Sequence, residues 1–321
     1  MDRRHFIQGA MLALAAGTAG AQTAWPQRPI RLIVPFPPGG GTDTTSRLIA
    51  EKLTTLAGWT IVVENRAGAA GGIGLDALAK SAPDGYTIGM GQASNLAINP
   101  ALYAKLPYDP LKDFAPIVEI AAQPVVLVVR QDSPLHTLGE FVQAAKARPG
   151  IHSIAQAGNG TVGHLAGELL VRSAGIQALQ VPYKGAGPAM TDLLGGQVAL
   201  YFGSSVSVMP QVSAGKVRAL AVTSAQRLPA LANVPTVAEQ GYPGFEATTW
   251  LGLLGPAGMP AEAVARINAE VVKIAARQDV RDKLVAEGNL VGTGTPAQFG
   301  EHIRAEHAKW GALIREAQIK I

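Results

Sequence analysis

Cysteine is absent from the 321 residues of this chain. That excludes thiol nucleophiles, thiolate metal sites and disulfides. Charge is scarce too: Asp, Glu, Lys and Arg make up 16% of the chain, and the formal net charge is only +4. No basic run carries interleaved aromatics, so no nucleic-acid partner is expected. Beyond the N-terminal region, no stretch reaches the ~18 uninterrupted apolar residues of a membrane span. Catalytic spacings are missing as well. G-x-S-x-G does not occur, and Ser204 and Ser205 in FGSSVS lack the second glycine of a nucleophile elbow. G-x-x-x-x-G-K-S/T, H-E-x-x-H and an EF-hand loop are all wanting, so neither cofactor nor metal is expected. The carboxylates are scattered singly, with no pair set for acid–base work on a sugar.

What is present is apolar and rich in small residues. The apolar share of 48% suits a compact α/β protein. The opening DRRHFIQGAMLALAAGTAGAQ holds twin arginines (Arg3, Arg4), a short apolar stretch (Met11 to Ala16) and Ala19-Gly20-Ala21. It reads as an export signal over residues 1–21, removed after about Ala21. RRHFI resembles the twin-arginine pattern, and an ordinary Sec signal with adjacent arginines fits equally. The mature chain is therefore expected to be a soluble periplasmic protein.

Strand and helix signals alternate, which argues α/β. Strands are expected at Ile30–Phe36, Thr60–Asn65 and after the Pro-Asp-Gly turn near residue 84, with extended segments at Phe114–Ile120 and Pro124–Arg130. Strands then enter turns of small residues at AGNGTVG, KGAGPAM and GSSVSV, and a helix leaves each turn. Long helical stretches are expected from about Ala261 to Glu287 and from Pro296 to Gln318, the last carrying Phe299, Ile303, Trp310 and Ile314. The implied architecture is two α/β lobes: residues 25–123 plus 245–321, and residues 124–244. Crossings near Gln123 and Gly244 would act as a two-segment hinge. Ligands in open α/β sheets sit beyond the carboxyl ends of strands, which puts the turns on a cleft between the lobes.

The turns decide what that cleft holds. VPFPPGGGTDTTSRL offers unpaired backbone N–H groups where a strand meets a helix, and AGNGT and KGAGP repeat the arrangement in the other lobe. A helix N-terminus carries roughly half a positive charge and accepts an anion without lysine or arginine. Ordinary tight turns capped by Thr42, Asp43 or Thr161 are the competing reading for any single turn. Asp43 reads as a cap, because a free carboxylate would repel an anionic ligand. His164 either contacts a ligand or orders its turn. A binding protein is the leading reading. The alternatives are an exported hydrolase or lyase using Ser205 or His164 on a small carboxylate, and a carboxylate-sensing module for a membrane signalling partner.

Five longer stretches carry a resemblance: IRLIVPFPPGGGTDTTSRLIAEKL, VVENRAGAAGGIGLDALAKSAPDGYTIGMG, NPALYAKLPYDPLKDFAPI, YKGAGPAMTDLLGGQV, and AGKVRALAVTSAQRLPALANVPTVAEQGYPGFEATTWLGLLGPAGMP. Over the whole mature chain the sequence resembles the extracytoplasmic solute receptors of tripartite tricarboxylate transporters, the Bug or TctC-like proteins. The resemblance implies a two-lobed periplasmic binding protein fold (type II-like), closing over a small carboxylate. It implies a monomer that delivers this ligand to a permease of one large and one small subunit. It implies that the carboxylate meets backbone N–H groups and waters at Pro38, Gly39, Gly40, Gly41 and Thr42, with Asp43 at the family's acidic position. It further implies ligand loops at Asn159, Gly160, Thr161 and His164, and at Tyr183, Lys184, Gly185 and Ala186. Further contacts fall at Ser94 and Asn95, at Thr248 and Trp250, and at Gly203 and Ser204. Many relatives read Phe-Asp where this chain has Phe202-Gly203. Loss of that acid favours di- or tricarboxylates, or an aromatic acid on an apolar wall, over amino acids.

Overall fold

A computed structural model describes residues 25–316, 318 and 319. The expected export signal lies outside the described residues. Strand β1 (Ile30–Val34) is buried at four of its five positions, and runs parallel to β2 (Ile61–Asn65) and β3 (Thr87–Gln92). Burial on both faces explains why IRLIV reads as an unbroken apolar run. Helix α1 (Gly41–Ala57) follows β1 and buries Leu48, Ile49 and Leu53. Gly58 ends it in the left-handed conformation, where glycine carries no Cβ penalty. Helix α2 (Gly72–Ala79) links β2 to β3.

The backbone of the molecule is β4 (Phe114–Arg130), one continuous strand of 17 residues. Two separate extended segments were expected there. Its first part pairs antiparallel with β9 (Thr248–Pro256), as far as Pro124 opposite Thr248. From Val125 onward it pairs with β7 (Leu200–Ser204) and β8 (Val217–Val222). The chain therefore crosses between sheets inside a strand, not through a loop. The first sheet comprises β1, β2, β3, β9, the start of β4 and the two-residue β10 (Leu290–Val291). The second comprises the end of β4 with β7, β8, β5 (Ser153–Gln156) and β6 (Leu179–Pro182).

Helices α3 (Leu138–Ala147), α4 (Val162–Ala174), α5 (Ala186–Leu194) and α6 (Ser205–Ser213) serve the second sheet. Thr137 and Glu140 close a reciprocal capping box on α3. The stretch expected as one helix up to Glu287 is two, α7 (Ala261–Ala275) and α8 (Gln278–Ala286). Arg277 is extended between them, and Asp279 in the first turn of α8 favours a fresh helix start. Helix α9 (Pro296–Glu316) buries Phe299, Ile303, Trp310 and Ile314.

No strand was expected over β9, whose Gly252 and Gly255 are unfavourable inside a strand. Gly252 is instead a point of close approach. A Cβ there would overlap the Phe299 ring and lie 2.7 Å from the Val118 carbonyl oxygen. The glycine lets Phe299 of α9 pack onto β9, beside the strand that joins the two sheets.

Candidate functional site

The loop after β1 turns at Gly39, whose φ of +82° suits glycine. Gly40 is the N-cap of α1 and has no side chain to cap it. Asp43, in the first turn, is almost fully buried and turned into the protein. Its Oδ2 accepts the Gly39 N–H at 2.9 Å, its Oδ1 accepts Asn65 Nδ2 at 2.8 Å, and Arg47 Nε reaches both oxygens. Burial pushes this carboxyl up. The bonds from Arg47, Asn65 and Gly39, with the Arg47 charge, outweigh burial and hold it below the usual aspartate value. Asp43 thus ties the loop to α1 with its acceptor sites filled.

Beyond that loop lies a cavity of about 70 Å³ between the sheets. Gly40, Gly41, Thr42, Gln92 and Ser94 line one side; Thr161, Val162, Gly185, Ala186, Tyr201 and Ser204 line the other. No charged side chain lines it among the described residues. The starts of α1, α4, α5 and α6 all face it. On α1, α5 and α6 no side-chain oxygen caps the N-terminus, so their first N–H groups keep their capacity to donate. An anion here meets converging positive helix ends without any full charge beside it.

Neutral side chains complete the wall. Thr42 Oγ1 donates to Gln92 Oε1 at 2.6 Å, and Gln92 Nε2 reaches Ser94 Oγ at 3.3 Å. Gln123 Nε2 lies within 3.2 Å of three acceptors: the Gly41 carbonyl, Thr45 Oγ1 and Asn289 Oδ1. That fixes the amide orientation and leaves Oε1 toward Gly41. Ser204 Oγ donates to Ser207 Oγ, whose own hydroxyl donates to the Ser204 carbonyl.

Of the residues expected from the sequence, Gly40, Gly41, Thr42, Ser94, Thr161, Gly185, Ala186 and Ser204 meet at this cavity. Others stand around it. Pro38 and Gly39 are exposed on the outer turn. Asn95 is buried and accepts the Gln92 N–H. Asn159, Tyr183 and Lys184 line a neighbouring opening with Ala69 and Tyr103. Tyr183 already donates to Asp192. Gly160 and His164 sit behind the α4 turn. His164 Nδ1 accepts the Gly160 N–H at 3.3 Å, and its own N–H bonds to the Thr161 cap. His164 therefore orders its turn. Gly203 packs against the Tyr201 ring.

Thr248 and Trp250 open onto a groove on the far side of the sheet, where Trp250 Nε1 donates to Glu306. Strand alternation explains this. Successive side chains face opposite ways, so Thr249, not its neighbours, lines the cavity. Gln123 and Val125 line it from β4, while Ala122 opens onto the rear groove. Sequence reasoning missed Phe36, Pro37, Gln92, Gln123, Tyr201 and Thr249. The alternation in β9, once that strand is placed, is the signal that recovers Thr249.

The two sides touch through glycines. A Cβ on Gly41 would overlap Gln123 Oε1 and lie 2.7 Å from Ser204 Oγ. One on Gly160 would lie 2.7 Å from Asn99 Oδ1, and one on Gly185 3.0 Å from Pro37 Cγ.

The sequence profile of the family described as "Tripartite tricarboxylate transporter family receptor" matches residues 45–319. Protein BugT of Bordetella pertussis is 37% identical over 100% of this chain and 99% of its own length. The solved structure of R. palustris Rpa4515 with adipate is 36% identical, covers 92% of this chain and 99% of that one, and superposes with a TM-score of 0.90. MatC from Rhodopseudomonas palustris with bound malate is 34% identical, covers 90% and 100%, and gives 0.84.

Two outcomes follow from this geometry. Gly41 has no positive φ, so Gly41→Ala acts through crowding alone; calorimetry is expected to show ligand affinity falling at least tenfold, with a lower melting temperature of the free protein because the buried Gln123 amide must shift. His164 is pushed down to about 4 by burial. The unfolded chain takes up its proton near the ordinary value of ~6.5 and the folded chain does not, so stability drops as pH falls from ~6.5 to ~4, by about 3 kcal/mol at most. Urea titrations at pH 7 and 4.5 are expected to show a smaller acid loss for His164→Asn than for the parent.

Proposed function

We propose that this chain, which belongs to the tripartite tricarboxylate transporter receptor family, captures a small organic carboxylate between its two lobes and releases it unchanged. The ligand is a di- or tricarboxylate, or an aromatic acid seated on the apolar residues Phe36, Val125 and Phe202. Delivery is to a permease of one large and one small membrane subunit, and the receptor works as an exported, periplasmic monomer. The lobes comprise residues 25–123 with 245–321, and 124–244.

One observation carries this reading: the cavity joins helix N-termini from both lobes and, among the described residues, carries no charged side chain. A carboxylate brings the missing negative charge, and peptide N–H groups that face it lose no hydrogen-bonding capacity on leaving water. Rpa4515 with adipate and MatC with malate show that close relatives accept dicarboxylates. The contacts proposed for this chain are the amides of Gly40 to Thr42, the side chains of Thr42, Gln92, Ser94, Gln123, Ser204 and Thr249, and the turns at Thr161 and at Gly185-Ala186.

The enzyme reading weakens on the same geometry. Ser205 Oγ donates to the Gly288 carbonyl and His164 faces its own turn, so no nucleophile stands beside a base in the cavity.

A thermal-shift and calorimetry screen of C4 to C6 dicarboxylates, citrate, benzoate and amino acids tests the reading. A binder held at a hundredfold excess over its dissociation constant stabilises the protein by about 2.7 kcal/mol. At least one di-, tri- or aromatic carboxylate is expected to reach that level and to be recovered intact. Binding confined to amino acids, or consumption of the acid, would overturn it.

A further inference from the structure

Tyr201 is wholly buried on β7, between Val128 of β4 and Ala155 of β5. Its side chain belongs to an apolar cluster with Val126, Ala189, Met190 and Val208. It also lines the cavity. Its hydroxyl has no hydrogen-bond partner among the described residues. Buried hydroxyls in folded proteins are almost always paired, so this one calls for an explanation.

Within the chain, Ser207 is the polar side chain that acts on this phenol. The ring itself packs among apolar side chains. Ser207 lowers the pKa of the phenol by less than burial raises it, yet no bond of normal geometry joins the two; the Ser207 oxygen accepts from Ser204 and its proton goes to the Ser204 carbonyl. Burial pushes the phenol up to about 12, so it stays protonated and able to donate at any physiological pH. Gly203 makes the ring position possible. A Cβ at residue 203 would overlap Cε1 and lie 2.7 Å from Cζ of Tyr201. Phenylalanine would fill the same space without a buried polar atom, so packing does not account for the oxygen.

We propose that the Tyr201 hydroxyl is the second lobe's donor to the far end of the ligand, and that it selects an acid carrying a second acceptor, a carboxylate or hydroxyl, over a simple monocarboxylate. This rests on the carboxylate-receptor reading above. One end of the guest lies on the α1 amides of the first lobe and the other reaches the floor of the second. Closing the lobes satisfies the orphan hydroxyl, so the acceptor at the far end also stabilises the shut form. A monocarboxylate of equal length leaves the hydroxyl unpaired, and the cavity discriminates against it as sites built for hydrogen bonding do.

Calorimetry of the parent and Tyr201→Phe with succinate, glutarate and adipate, set against butyrate, valerate and hexanoate, tests this. The parent is expected to bind at least one dicarboxylate at least tenfold more tightly than its matched monocarboxylate. Tyr201→Phe is expected to lose that preference by at least tenfold, chiefly through weaker dicarboxylate binding. The melting temperature of the unliganded variant is expected to equal or exceed that of the parent, because an unpaired buried polar atom has gone. Unchanged dicarboxylate affinity in the variant would overturn the role of Tyr201 and leave the receptor reading standing. A clear fall in the unliganded melting temperature would mean the hydroxyl serves the fold, and would overturn it too. A parent that binds none of these acids would remove the reading on which the proposal rests.

Discussion

An uncharged cavity onto which several helix N-termini open is the constraint around which this molecule is arranged. Each N-terminus presents unpaired N–H groups and a partial positive charge. Drawing them together from two sheets leaves a site short of negative charge. A lysine or arginine there would supply attraction, but its desolvation on closure would cost much of what the pairing returns. Peptide dipoles are already fixed by the helices and need no reorganisation. Asp43, next in sequence to the lining Thr42, serves the scaffold instead: with Arg47 and Asn65 it binds the first loop to its helix.

That arrangement needs the backbones to come close, and the glycines follow from it. Gly41, Gly160 and Gly185 stand where one lobe meets the other, and a methyl group at any of them would press on a partner across the gap or beside it. The continuous strand β4 sets how the lobes meet. Its pairing passes from β9 to β7 between Pro124 and Val125, and Gln123 at that handover reaches back to the Gly41 carbonyl. The joint between the sheets and the loop after β1 are thereby held by one side chain.

Much of this was legible in the residues. The glycine-rich loop before α1 and the turns at Thr161 and Gly185 signalled helix starts through local chemistry, and local chemistry is what a sequence carries openly. Helix α9 showed its buried stripe at Phe299, Ile303, Trp310 and Ile314. The failures were tertiary. Strand β9 was not assigned, and the role of Gly252 within it depends on Phe299 lying 47 positions away in the chain. Without the strand its facing could not be read, so Thr248 and Trp250 were expected in the cleft where Thr249 stands. Tyr201 was not among the expected site residues; it is wholly buried, its hydroxyl included. His164 could have contacted a ligand or ordered its turn and Asp43 reads as a cap; hydrogen bonds tie both into their loops.

The central claim is that peptide N–H groups, not ionised side chains, hold the negative end of the guest. A crystal structure of the protein with the tightest-binding acid of the screen tests it most directly. The account predicts a carboxylate at the Gly40–Thr42 amides, bonded directly or through one ordered water, with no lysine or arginine in reach. A guest clasped by a cationic side chain, with those amides turned only to bulk water, would contradict it.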